Sequence, residues 1–203
     1  MSERYGVSGY FYSEQGYNFR SYLNIRRKRQ GFRRLIESFI SNDEPDLMVV
    51  MMNPGSSVPL SGGDDAQSEV SAKPDPTQLQ IMKIMDARSF RFARILNLSD
   101  LRSPNSADFI STISYLDQLN IRHSVFGPDR EREFEKLYVQ SVPVIIAWGA
   151  DDRLKPLARR ALSLMKNKVK VGQRKPSADW IYYHARQRGR PLRLWVEEVL
   201  KQL

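Results

Sequence analysis

The 203-residue chain has no cysteine, which excludes a disulfide scaffold, a thiolate metal site and a thiol nucleophile together. It has no run near the ~20 apolar residues a membrane helix needs, so no membrane partner is expected. It has no Gly-x-x-x-x-Gly-Lys phosphate loop, which argues against a nucleoside triphosphatase of that kind. The carboxylate pairs Asp64-Asp65 and Asp151-Asp152 have no lattice of His or Asp around them, so neither a metal nor any other cofactor is expected. The polar start Met1-Ser2-Glu3-Arg4 lacks a secretory hydrophobic region, and with no address elsewhere the expectation is a cytoplasmic, monomeric protein. Acidic residues are also in short supply: 23 Asp and Glu face 32 Lys and Arg, for a net charge of +9. Such an excess of cations favours a polyanionic partner, nucleic acid first, although a solvated Arg-rich surface gives the same balance.

What is present begins with 47–52, six apolar residues that run straight into Asn53-Pro54-Gly55. A short run of this kind containing Val49 and Val50 reads as a strand buried on both faces, as in a parallel sheet covered by helices. Ligands of such sheets bind beyond the carboxyl ends of the strands, where Asn53 falls. Pro54 cannot continue a ladder, and Gly55 permits a positive φ or a close backbone approach. An ordinary Asn-Pro turn would look the same in isolation.

The rest of the chain is consistent with one domain over 1–203, with an aromatic and basic extension plus a helix over 1–45 and a core over 47–200. Tyr5, Tyr10, Phe11, Tyr12, Tyr17, Phe19 and Tyr22 precede the cluster at Arg26-Arg27-Lys28-Arg29 and Arg33-Arg34. Rings interleaved with cations suit nucleic acid. They equally suit a hairpin that packs its rings on the domain, followed by a helix with Phe32, Leu35, Ile36 and Phe39 on its apolar face. The stretch 56–76 is too long for a simple connection and is expected to be functional or mobile. Helices are expected near 77–89, from Ser106, over 129–139, over 153–165 and at the carboxyl terminus through Trp195 and Val199. Further strands are expected at 92–98, 142–148 and 180–183. Strands separated by helices predict a three-layer α/β/α domain around a central, mostly parallel four-stranded sheet. Parallel pairing would bring the strand-end residues Asn53, Asn97 and His184 to one edge. His123, after a helix, is read as structural.

This order of strand ends resembles the uracil-DNA glycosylase superfamily over roughly 47–200. In its mismatch-specific branch the first strand ends in Asn-Pro-Gly, matched by Asn53-Pro54-Gly55. The second ends in a base-reading Asn, to which Asn97 is similar. The third often ends in an apolar run, Trp and Gly, similar to 144–149. The fourth ends in a His followed by a DNA-intercalating loop, which His184 and 185–191 resemble, with Ala185 where the family usually has Pro. The uracil-specific branch has a water-activating Asp and a Tyr against the pyrimidine 5-position; Asn53 and Gly55 stand there instead. The chain also resembles an uncharacterised bacterial and phage family, a domain of unknown function, through Asp75-Pro76-Thr77 and Asn97-Leu98.

The glycosylase resemblance implies a metal-free hydrolase that flips a pyrimidine nucleotide of duplex or single-stranded DNA, breaks its N-glycosidic bond and leaves an abasic site. Asn53 would hold the attacking water, His184 would donate to the pyrimidine O2, and Asn97 would read the base edge beside Gly55. Arg186, Arg188 and Arg190 would contact phosphates and fill the gap left by the flipped base. The small Gly55 favours a 5-substituted pyrimidine, such as a modified cytosine of phage DNA, alongside uracil, and a role in phage defence would follow. A non-catalytic nucleic-acid-binding module and an enzyme acting on free nucleosides or nucleotides are the competing expectations.

Overall fold

The computed structural model describes residues 2–28, 44–61, 63, 68–187 and 189–203. The expected helix with Phe32, Leu35, Ile36 and Phe39, the cations Arg29, Arg33 and Arg34, the pair Asp64-Asp65, and Arg188 all lie outside them.

The aromatic N-terminal region is a hairpin. β1 (Tyr5–Glu14) and β2 (Tyr17–Arg27) pair antiparallel across a two-residue turn, Gln15-Gly16, in which both residues have positive φ. That turn conformation matches the twist of the flanking strands. The pairing steps from Tyr10 opposite Tyr22 to Phe11 opposite Arg20, so Ser21 is the extra residue of a β-bulge. Phe19, Tyr12, Tyr17 and Tyr22 pack into one core cluster, while Tyr5, Phe11, Leu23 and Ile25 enter another. The rings therefore hold the hairpin onto the domain from both faces.

The other strands are β3 (Leu47–Met51), β4 (Val70–Ser71), β5 (Phe92–Asn97), β6 (Val144–Ala147) and β7 (Lys170–Val171). They join the hairpin in one seven-stranded sheet of order β4-β1-β2-β5-β3-β6-β7. β5, β3, β6 and β7 are parallel neighbours, whereas β4, β1 and β2 pair antiparallel and join at β5. The sheet is thus mixed, and the expected four-stranded, mostly parallel sheet is corrected to one half of it. The expected fourth strand is corrected too. Its place is taken by Lys170–Val171, and Tyr182 makes only isolated bridges, to Gly149 and Arg174. Trp180, Ile181 and Tyr182 are apolar because they cover Trp148: the indole Nε1 donates to the Trp180 carbonyl at 2.8 Å, and Tyr182 meets the Trp148 ring edge-on at 5.5 Å. Their apolar density reflects burial without a ladder.

Helices lie on both faces. α1 (Pro76–Arg88) and α5 (Leu192–Gln202) cover one side, and α2 (Ser106–Gln118), α3 (Glu131–Leu137) and α4 (Lys155–Leu164) the other. Side chains alternate along β3, so Leu47, Val49 and Met51 meet α1 and α5 while Met48 and Val50 meet the opposite layer. Fully burying a side chain of this kind stabilises the fold by about 1.5–3 kcal/mol. α1 starts at a capping box: the Asp75 carboxylate accepts from the amides of Thr77 and Gln78, the Gln78 side chain accepts from the Asp75 amide, and Pro76 opens the first turn. The chain leaves β3 through α1 towards β5, and leaves β6 through α4 towards β7, on the other side. That reversal between β3 and β6 is the topology beside whose carboxyl strand ends such sheets usually bind ligands.

Candidate functional site

The loops leaving β3 and β5 are joined by hydrogen bonds beyond the strand ends, Leu98 N–H to Met51 O (2.8 Å) and Ser99 N–H to Met52 O (3.2 Å). These set Asn53 beside Asn97. Asn53 donates through Nδ2 to the Ser103 carbonyl at 2.7 Å and the Leu101 carbonyl at 3.4 Å. Both bonds use the amide nitrogen, so Oδ1 is the atom able to hold a water. Asn97 is fully buried. Its amide is oriented by its neighbours: Nδ2 donates to the Asn53 backbone carbonyl at 3.1 Å, and Oδ1 accepts from Arg20 Nη2 at 3.1 Å.

Gly55 has φ +61°, and a Cβ built there meets nothing within 4 Å. The glycine is thus required by the turn, and open space adjoins it. Two residues on, Ser57 is buried and its Oγ has no partner among the described residues.

Arg20, which sequence reasoning passed over, is the buried cation of this edge. Its amide donates to the Asp100 carbonyl at 2.9 Å, fixing it beside the β5 exit loop, and the residue is only 2% exposed. Burial lowers its pKa to about 10, with Arg102 acting in the same direction and the Asp75 and Asp100 carboxylates opposing. It stays protonated at neutral pH. Asp100, also fully buried, is engaged on the far side of the sheet by Arg130 and by the Tyr12 hydroxyl at 3.3 Å. Burial raises the Asp100 pKa, and Arg130 against it pulls the other way.

His184 lies at the end of the 180–183 loop segment rather than at a strand end. The imidazole is partly buried, and Nδ1 accepts the Arg186 amide at 3.1 Å, so the neutral ring carries its proton on Nε2. Burial holds its pKa below the ordinary 6.5, while the Arg186 amide bond and Asp75 act in the opposite direction. Asp75 is therefore the charge that Arg20 and His184 both sense. The edge brings together Asn53, Asn97 and Arg20 by direct bonds, whereas His184 is bonded to the Arg186 amide and, among the described residues, to none of these three. Arg186 and Arg190 are exposed on the following loop, where Arg190 Nη1 donates to Gln187 Oε1 at 3.2 Å.

His123 stands apart. Its ring bridges Ser99 Oγ and Asp117 Oδ1, each at 2.9 Å, and ties the β5 exit loop to α2. The set Ser, His, Asp suggests a nucleophile, but Ser99 Oγ also accepts the Leu101 amide at 3.2 Å, so the three side chains brace the β5 exit loop. Among the described residues no three His, Asp or Glu side chains group as metal ligands, and no helix is long and apolar enough to cross a membrane.

The one signal for Arg20 in the sequence is a cation directly after Phe19 in an aromatic strand, and strand alternation alone does not say which face is buried. Residues 33–184 match the model of a family described as a protein of unknown function, DUF1643. No curated protein and no solved structure matches the chain.

Proposed function

The chain belongs to the DUF1643 family, and we propose that it is a DNA glycosylase hydrolysing the N-glycosidic bond of a flipped pyrimidine and leaving an abasic site. The observation that carries this reading is the direct bond of the Asn97 side chain to the Asn53 backbone carbonyl at the carboxyl edge; the His184 ring, whose Nδ1 accepts the Arg186 amide, has Nε2–H to offer. The parallel half of the sheet, with its polar strand ends on one edge, supports a scaffold of the uracil-DNA glycosylase type.

In the reaction the bond from C1′ to the base nitrogen breaks and its electron pair leaves with the base. A water oxygen then bonds to C1′ and the water's proton passes to the departing base. An amide is a feeble base, so Asn53 Oδ1 orients the water while base departure leads. His184 Nε2–H donates to the pyrimidine O2 as charge gathers there, a fixed donor aimed at the atom that becomes more negative in the transition state. Asn97 keeps one amide hydrogen and one lone pair beyond its bonds to Asn53 and Arg20, and these contact the base edge. The open space at Gly55 favours a pyrimidine with a 5-substituent, including modified cytosine of phage DNA. Arg186 and Arg190 meet the phosphates.

Full burial of Asn97 favours one second reading, an enzyme acting on a free nucleoside or nucleotide, because a small ligand needs no groove for polymer. The test of both is incubation with DNAs carrying different modified pyrimidines and with the matching nucleosides, followed by alkaline cleavage and mass analysis of released base. Base released from DNA supports the glycosylase; base released only from nucleosides selects the second reading.

A further inference from the structure

Arg20 holds more hydrogen-bonding capacity than its surroundings satisfy. Nη2 donates to Asn97, but Nε and Nη1 have no partner among the described residues although both atoms are buried. Phe19 packs in the α2–α4 layer, so its neighbour Arg20 turns to the α1 side of the sheet, the side on which Ile95 lies and towards which Asn97 is in phase. The Ser21 bulge follows at once and resets the alternation, an arrangement that re-aims a side chain next to a site.

The two nearby carboxylates do not complete it. Asp75 is committed to the α1 cap, where Oδ1 accepts two backbone amides and Oδ2 accepts from Gln78 Nε2. Asp100 Oδ1 is unpaired among the described residues, yet no hydrogen bond or ion pair joins that carboxylate to Arg20, and it is held on the opposite face by Tyr12 and Arg130. An unpaired buried cation costs stability, and native proteins keep such groups where an ordered water, an ion or a ligand completes them. The loop carrying Asn53 buries a second polar atom with no partner among the described residues, the Ser57 hydroxyl.

We propose that Arg20 is a base-binding residue of this site, whose unpartnered N–H groups take an oxygen of the pyrimidine, the atom class on which negative charge gathers as the base departs. The inference deepens the glycosylase reading and rests on it for the reaction, but not for the binding. Its depth separates a base oxygen from a phosphate. Backbone phosphates stay at the protein surface, where Arg186 and Arg190 are exposed, whereas Arg20 is 2% exposed and bonded to Asn97. A guanidinium suits this place because its planar donors can hold Asn97 and a ligand oxygen together.

The test uses full-length protein labelled with [15N]arginine, with the Arg20 Nε–H signal assigned by its loss in Arg20→Lys. That signal is expected to shift on addition of deoxyuridine, deoxycytidine or their 5-hydroxymethyl counterparts, and to stay in place with inorganic phosphate. Arg20→Met is expected to melt within a few degrees of wild type or above it, and to slow base release at least about 100-fold, with Arg20→Lys recovering part of the loss. The loss should be deeper for bases that leave poorly than for bases that leave easily, a dependence that a merely structural role would not produce. A signal that no nucleoside moves, an equal shift with inorganic phosphate, or a melting temperature lower by more than about 10 °C in Arg20→Met overturns the assignment. A nucleoside-dependent shift in a protein that releases no base from any DNA keeps Arg20 as a base-binding residue and removes the glycosylase; unchanged base release in Arg20→Met does the reverse.

Discussion

The cations on two parts of the same edge are treated in opposite ways. Arg20 is buried and bonded to Asn97, with Nε and Nη1 unmatched among the described residues, whereas Arg186 and Arg190 are exposed on a loop where Arg190 bonds its neighbour Gln187. Desolvation strengthens every interaction inside the first group and screening weakens those of the second. The buried cluster is therefore suited to discriminating between ground and transition states, and the exposed loop to holding a polyanion. Changes to the cluster should alter the chemical step at nearly constant affinity, and changes to the loop should alter affinity at a nearly constant chemical step.

The largest expected effect is at Asn53. Asn53→Ala deletes a small polar group beyond a strand end and no core volume, so base release should fall about 10²–10³-fold. Two hydrogen bonds to the β5 exit loop disappear with it, each worth about 1 kcal/mol. Thermal denaturation should show a folded protein, and DNA affinity should hold. Near-normal turnover in the folded variant would remove Asn53 from the chemistry.

Next in size is Gly55. Any side chain there is strained by about 1–2 kcal/mol because φ is +61°, so Gly55→Ala is the control that carries the strain without the ring. Relative to it, Gly55→Tyr should suppress release of 5-substituted pyrimidines more than release of uracil, since the ring fills space now open. Equal suppression on all substrates, measured by released-base mass analysis, would mean that Gly55 serves the turn alone.

A smaller effect is expected from the loop. Reversing Arg186 and Arg190 to Glu should weaken binding and flatten its salt dependence by about 0.9 log units of slope for each phosphate no longer neutralised. Single-turnover release at saturating protein should be unchanged. A salt titration that gives the wild-type slope would leave the loop solvated.

The smallest concerns pH. Burial places the folded-state pKa of His184 below its ordinary 6.5, so the unfolded chain takes up the proton first on acidification. The stabilisation from keeping this ring neutral is present above pH 6.5 and is lost as pH falls through the folded-state value. Wild type should lose more melting temperature between pH 7.5 and pH 5 than His184→Gln does; identical losses would mean that the imidazole is not held neutral.

Much of the parallel half was legible. The apolar run 47–52 read as an interior strand and forms one over 47–51, and the same logic held for the strands at 92–97 and 144–147, within expectations of 92–98 and 142–148. Asn53 and Asn97 followed, because strand ends fix an edge. The antiparallel half was harder to read. Phe11 and Phe19 are buried on opposite faces and the Ser21 bulge breaks the two-residue period, so the aromatics show no clean alternation. β7 has two residues and no pattern, whereas 180–183 has the density of a strand and forms a cover over Trp148. Arg20 was invisible because only its tertiary neighbours make it a buried cation.

The most direct test of the glycosylase account is single-turnover mass analysis with excess protein on DNAs that carry 5-modified pyrimidines, comparing wild type with Asn53→Ala and with Arg186→Glu/Arg190→Glu. The account predicts free base and an alkali-labile abasic site from wild type, loss of both in Asn53→Ala at equal DNA binding, and an unchanged rate in the loop variant. DNA bound tightly by wild type with every base intact would contradict it.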